Sequence, residues 1–199
     1  MSGPERARAE PFIVLETARL RLRRFVQADV ERLVELDSDR EVMRYISFGE
    51  PTPREVYERE IMPRFLAMYE AASPVGYWAA ETSDEGTFVG WAHLRPDRID
   101  PGPQELGYRL RREAWGRGYA TELGRALVDY GFERVGAGTI TARALSANAG
   151  SRRVMEKCGL RYEGDFVWPA NVVPGRSEAE RAGVKYSLTR RQWQEARLA

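Results

Sequence analysis

The sequence has one cysteine, Cys158, and one histidine, His93. A Cys/His zinc cluster, a Cys–His dyad and an internal disulfide therefore cannot be assembled, and no metal site is expected. Lysine occurs only at Lys157 and Lys185 among 31 basic residues, an arginine bias that reads as compositional rather than as a binding device. No apolar run nears the ~18 residues of a membrane span, and residues 1–8 lack the apolar stretch of a secretory signal. These absences predict a cytoplasmic protein with no membrane partner. With 31 basic against 30 acidic residues the net charge is +1, which gives no basis for a nucleic-acid surface.

What is present is ordinary for a globular domain: 43% hydrophobic and 31% charged residues over 199 positions, enough for one substantial core without disulfides. Residues 1–10 are small and charged and read as a flexible tail. Residues 11–199 then form a single domain. Residues 15–25 alternate, with Leu20 and Leu22 set against Arg19, Arg21 and Arg23, the period of one half-buried strand with a solvated basic face. Asp29 can cap a helix carrying Val30, Leu33 and Leu36. Thr52-Pro-Arg-Glu55 has the form of a capping box, and the helix it opens should be kinked or divided by Pro63. Residues 77–82, 87–94 and 105–111 read as three meandering strands, followed by further strands at 138–145, 162–167 and 184–189. A Pro/Gly-containing loop spans 168–181.

Between the third meandering strand and the next helix lies Arg112-Glu-Ala-Trp-Gly-Arg-Gly-Tyr-Ala-Thr-Glu122. Gly116 and Gly118 let backbone amides approach a ligand, and a helix opening near Tyr119 adds unpaired N–H groups and the positive end of its dipole. That combination suits a pyrophosphate. The apolar positions Tyr119, Ala120, Leu123, Ala126, Leu127 and Tyr130 recur at helical spacing, so one face of this helix lies on a core.

Trp115-Gly-Arg-Gly-Tyr-Ala120, followed by Asn148-Ala-Gly-Ser-Arg-Arg-Val-Met-Glu-Lys-Cys-Gly-Leu160, resembles the GNAT superfamily of acetyl-CoA-dependent N-acetyltransferases, and within it the branch of ribosomal-protein N-terminal acetyltransferases. The resemblance implies an α+β fold: a mixed, mostly antiparallel sheet of six to seven strands with helices on both faces. It implies acetyl-CoA as cosubstrate, with pyrophosphate on the amides of Gly116, Arg117, Gly118, Tyr119, Ala120 and Thr121. The pantetheine arm would pair with backbone near Leu110 and Arg111, Asn148 would orient that arm, with a helix cap as its plain alternative, and Ser151 would hydrogen-bond the leaving sulfur, with a helix N-cap or first-turn serine as the plain alternative. Trp115 stands where the family carries Gln or Arg and reads as packing. Many relatives carry a tyrosine acid seven residues after the asparagine; Met155 stands there and cannot donate a proton.

Glu105 is the best-placed carboxylate for a general base, with an exposed strand carboxylate as the plain alternative. Glu163 and Asp165 could bind a cationic substrate or face water. Lone His93 reads as structural and Cys158 as packing. The expected reaction is direct transfer to a primary amine in a ternary complex, by the branch resemblance a protein N-terminal α-amine. A small-molecule amine (aminoglycoside, polyamine or amino acid) is the alternative acceptor, and a non-catalytic acyl-CoA sensor is the alternative class. A homodimer is compatible with the sequence.

Overall fold

Local alternation in the first strand region produces two strands rather than one. In the computed structural model, which describes residues 12–173 and 175–198, β1 (Ile13–Glu16) and β2 (Leu20–Arg23) form an antiparallel hairpin closed by the Thr17 amide donating to the Leu20 carbonyl at 2.8 Å. The tail expected at residues 1–10 lies outside the described residues. Leu20 and Leu22 are fully buried, as alternation requires, but Arg23 is buried too, against the expectation of a solvated face. Its guanidinium donates to both oxygens of Asp29, at 2.7 and 2.8 Å, and to Glu81 at 2.7 and 2.8 Å. Sequence periodicity cannot show that two carboxylates from elsewhere will meet a strand arginine. Asp29 is thereby drawn away from the capping role assigned to it. A buried cluster of this kind specifies how elements meet more than it adds net stability, because desolvation offsets most of the attraction.

After β2 the chain forms α1 (Val30–Ser38) and the short α2 (Arg40–Met43). A longer helix then begins as α3 (Arg54–Val56), widens through a π-helical turn at Tyr57–Ile61 and continues as α4 (Met62–Glu70). The expected capping box does not form, because the Thr52 hydroxyl donates instead to Asp37 at 2.5 Å and Pro53 takes the N-cap position. The π turn explains how Pro63 is housed: it sits in the first turn of α4, where a missing N–H costs little.

The remaining elements are β3 (Gly76–Thr82), β4 (Phe88–Pro96), β5 (Gln104–Leu110), α5 (Tyr119–Glu133), β6 (Thr139–Leu145), α6 (Ala149–Lys157), β7 (Arg161–Val167), β8 (Ala182–Thr189) and α7 (Arg190–Leu198). The sheet has eight strands in the order β1-β2-β3-β4-β5-β6-β8-β7, the hairpin at the start accounting for the excess over six to seven. All neighbouring pairs are antiparallel except β5 and β6. That parallel pair is held at Gln104–Ile140 and Glu105–Thr141 alone, after which the two strands diverge.

Helices cover both faces, as expected. One core joins Leu106 and Leu110 of β5 to Leu123 and Leu127 of α5, to Met155 of α6 and to Cys158 just after it. The other joins Leu33 of α1 and Phe65 of α4 to Phe25 and to Tyr77 of β3. Burying side chains of this size contributes about 1.5–3 kcal/mol each, so both helical layers are firmly seated against the sheet.

Candidate active site

Where β5 and β6 part, a cleft of roughly 750 Å³ opens. Eight of the residues expected to hold the cosubstrate line it: Leu110, Gly116, Gly118, Tyr119, Ala120, Thr121, Asn148 and Ser151. Arg111, Arg117 and Glu105 are not among its walls.

The glycine turn is built by conformation rather than by space. Gly116 and Gly118 have φ of 72° and 80°, a region side-chain-bearing residues avoid, while a Cβ on Gly116 would meet nothing within 4 Å. Gly118 is the N-cap of α5 and offers no capping side chain. The helix's first internal bond is Glu122 N–H to Gly118 O at 3.0 Å, so the N–H groups of Tyr119, Ala120 and Thr121 precede it, on residues that line the cleft. This is the donor set a pyrophosphate requires. Arg117 is exposed, and its carbonyl accepts from Arg19 Nη1 at 3.0 Å.

Glu122 anchors the turn to the β1–β2 hairpin. It accepts from the Thr17 hydroxyl at 2.6 Å, the Arg19 amide at 2.9 Å and Arg19 Nε at 2.7 Å. Burial works to raise its pKa, yet the Thr17 and Arg19 hydrogen bonds prevail and hold it below the usual carboxylate value.

On β5, the Arg111 amide donates to Val89 at 2.9 Å and the Arg109 carbonyl lies 2.2 Å from where a Gly90 Cβ would sit, so both point at β4. Peptide planarity then turns the Leu110 N–H and C=O towards the cleft. Trp115 has a task beyond packing: 47% exposed, it donates its indole N–H to the Leu110 carbonyl at 2.9 Å. Arg111 pairs through its side chain with Glu35, so a pantetheine arm would find Leu110, and not the Arg111 amide, available.

Across the cleft, Asn148 Oδ1 accepts from the Ser151 amide at 3.0 Å, the helix cap foreseen as its plainer role. Its Nδ2 is left for other partners. Three lining residues escaped the sequence reading: Tyr108 on β5, and Arg153 and Lys157 on α6. The i,i+4 spacing of the two cations was the available signal for a phosphate-facing pair, since such positions share a helix face. Burial pushes the Tyr108 phenol up to about 12, with the Ser151 side chain pulling the other way through a hydrogen bond.

Glu105 is no free base. It is 8% exposed and ion-paired to Arg95, with Arg143 Nη1 3.6 Å away. Burial raises its pKa while Arg95 opposes. Glu163 pairs with Lys185 at 2.8 Å, and neither it nor Asp165 lines the cleft. His93 is buried, neither ring nitrogen has a hydrogen-bond partner among the described residues, and burial holds its pKa well below the ordinary value. Cys158 is buried and its thiol pushed up to about 12 by that burial, the state of a packing residue rather than of a nucleophile.

The far end of the cleft is aromatic and aliphatic: Tyr45, Ile46 and Phe48 from the segment after α2, and Trp168, Val172 and Val173 from the loop after β7. Arg176 of that loop lies 4.1 Å over the Phe48 ring, joining the two walls. Two of the charged side chains here are held by buried carboxylates, Arg109 by Asp37 and Arg143 by Asp97, while Glu41 lies 3.6 Å from Arg44 with both side chains exposed.

Known proteins share this arrangement. Residues 19–161 match the family model described as an acetyltransferase (GNAT) domain. Over 194 residues, 94% of this chain and 79% of the relative, it is 34% identical to an Aspergillus fumigatus protein named FsC-acetyl coenzyme A-N(2)-transacetylase. Two solved structures share the fold. A ribosomal L7/L12 α-N-protein acetyltransferase with coenzyme A has a TM-score of 0.71 at 15% identity, over 89% of this chain and 97% of that one. A Vibrio cholerae spermidine N-acetyltransferase with coenzyme A and spermine has a TM-score of 0.69 at 19% identity, over 89% and 99%. With its diverging β5 and β6, its glycine turn and its capped α6, this chain belongs to the GNAT acetyltransferase family and is an acetyl-CoA-dependent N-acetyltransferase.

Proposed function

We propose that the acceptor is the α-amine of a peptide or peptide-like molecule whose body is uncharged and partly apolar. The observation that carries this is the acceptor end of the cleft, where Tyr45, Phe48, Trp168 and Val172 form the walls, Arg109 and Arg143 are neutralised by buried carboxylates, and Glu41 is an exposed carboxylate 3.6 Å from Arg44. A polyamine or an aminoglycoside would bring several positive charges to a chamber whose described lining offers one carboxylate, Glu41, already shared with Arg44. The Aspergillus relative's name specifies N(2) of FsC, and the solved neighbours range from a ribosomal protein's α-amine to spermidine. The lining of this chain's own cleft is therefore what separates acceptors.

An α-amine titrates near ~7.7–8.0 against ~10.4 for lysine, so an appreciable fraction is neutral at physiological pH and a strong base is unnecessary. That agrees with Glu105 being bound into the frame by Arg95 and Arg143. The neutral amine attacks the acetyl carbonyl; a C–N bond forms and the C–S bond breaks with its electron pair leaving on sulfur. Amides at the start of α5 hold the pyrophosphate, Leu110 N–H and Asn148 steady the arm, and Ser151 faces the departing sulfur.

Thiol release from acetyl-CoA with a panel of amines tests the reading. Neutral peptides with apolar second residues should give kcat/KM at least ~10-fold above spermidine or kanamycin. The reverse order would refute the acceptor assignment while leaving the acetyltransferase itself intact.

A further inference from the structure

Met155 leaves the leaving sulfur without the donor many relatives place seven residues after the asparagine, and the cleft contains a different phenol close by. Tyr108 projects from β5 three residues beyond the last β5–β6 pair at Glu105, and lines the same cleft as Leu110, Asn148 and Ser151. Its ring packs against the core that holds Met155 and Cys158, and its side chain shares the cleft lining with Ser151. Ser151 is itself fixed, because its amide is tied to Asn148 Oδ1 at 3.0 Å. Two hydroxyl-bearing side chains, one on β5 and one on α6, thus line the same cleft as Leu110 and Asn148.

We propose that Tyr108 is a catalytic residue, its hydroxyl acting with that of Ser151 to donate a hydrogen bond to the thioester sulfur as the C–S bond breaks. The step is electrostatic rather than a proton transfer. A phenol pushed up to about 12 is a weaker acid than a thiol of ~8.5 and so keeps its proton. It stabilises the developing thiolate without being consumed. The bonds balance: the C–N bond forms, the C–S pair leaves on sulfur, the amine nitrogen sheds one proton to solvent, and sulfur takes one from solvent. The inference rests on acetyl-CoA binding in the cleft and does not depend on which amine is the acceptor.

Tyr108→Phe keeps the ring and removes the donor. It should lower kcat about 10–100-fold with KM for acetyl-CoA changed less than ~2-fold; the loss falls short of the ~10²–10³ typical of an oxyanion donor because sulfur spreads its charge over a larger atom. Ultraviolet absorbance of the thiolate in the complex with coenzyme A gives a readout that packing alone would not move. Bound to the wild type, the thiol should ionise at lower pH than in free coenzyme A, and Tyr108→Phe and Ser151→Ala should each move it back by at least ~0.5 pH unit. The wild-type protein offers a check that needs no variant: the affinity ratio of coenzyme A to desulfo-coenzyme A should rise at least ~3-fold between pH 7 and 9. An unchanged bound-thiol ionisation in Tyr108→Phe, whatever happens to kcat, or a flat affinity ratio would overturn the proposal.

Discussion

Glu122 connects the hairpin at one end of the sheet to the turn that receives the cosubstrate, and its removal should be felt at both. In Glu122→Ala the Thr17 hydroxyl, 2.6 Å away, and the Arg19 amide, 2.9 Å away, lose their acceptor together with the Arg19 guanidinium. The Arg19 side chain is 50% exposed, so its ion pair contributes at most ~1 kcal/mol. The two hydrogen bonds to the more buried carboxylate matter more, since bonds to a charged group contribute about 1.5–3 kcal/mol. A net loss of about 2–3 kcal/mol is expected, and at about 2–4 °C per kcal/mol for a chain of this size the unfolding midpoint should fall by roughly 4–12 °C. Glu122→Gln keeps an acceptor and should lose about 1 kcal/mol. The sign with pH follows from the depressed pKa: the carboxylate's stabilisation is present above its unfolded value near ~4.3 and is lost as pH falls through the lower folded value. The gap between wild type and Glu122→Gln should therefore close in acid. Because Arg19 also donates to the Arg117 carbonyl at 3.0 Å and lies 4.8 Å over the Tyr119 ring, its release should loosen the glycine turn. KM for acetyl-CoA should then rise several-fold with kcat within ~2-fold. Calorimetry at several pH values and initial rates measure both effects. A midpoint within 1 °C of wild type, or a loss confined to kcat, would refute the reasoning.

Two further tests address other parts of the frame. Gly118→Ala keeps ordinary contact with its nearest neighbour, Arg19 Nη2 at 3.5 Å, but forces φ of 80° on a residue with a Cβ, a strain of about 1–2 kcal/mol; coenzyme A affinity by calorimetry should drop about 10-fold, with Gly118→Asn milder, and equal losses would discount the backbone argument. His93 is held neutral by burial and by Arg95, so the unfolded chain binds the extra proton and stability should fall as pH drops below ~6.5, by up to ~1.4 kcal/mol per pH unit. His93→Leu should flatten the pH 5–6.5 part of a chemical-denaturation series, and an unchanged slope would place that sensitivity elsewhere.

Features encoded by neighbours in the chain were legible beforehand. The glycine turn, the start of α5 at Tyr119, the Asn148 cap and the hairpin of β3 and β4 all depend on residues within a few positions of one another. Features encoded by distant partners were not. Arg23 is buried because Asp29 and Glu81 reach it; Thr52 misses its capping role because Asp37 lies within 2.5 Å; and Glu105 is withdrawn from the cleft by Arg95 and Arg143. In each case a short-range rule was correct about what the residue could do and a long-range ion pair or hydrogen bond decided otherwise. Tyr108 was overlooked for the same reason, since its value depends on Ser151, 43 positions away, and on β5 leaving β6 where it does.

The two residue pairs that join β5 to β6 also make this a sheet of unequal halves, five strands on one side and three on the other, sewn by a very short seam. Beyond the seam β5 and β6 share no further backbone pairs, and the cleft lies between them. An extended, amide-bearing arm laid between them would act as a ninth strand, so the cosubstrate would be structural mortar as well as a source of acetyl groups.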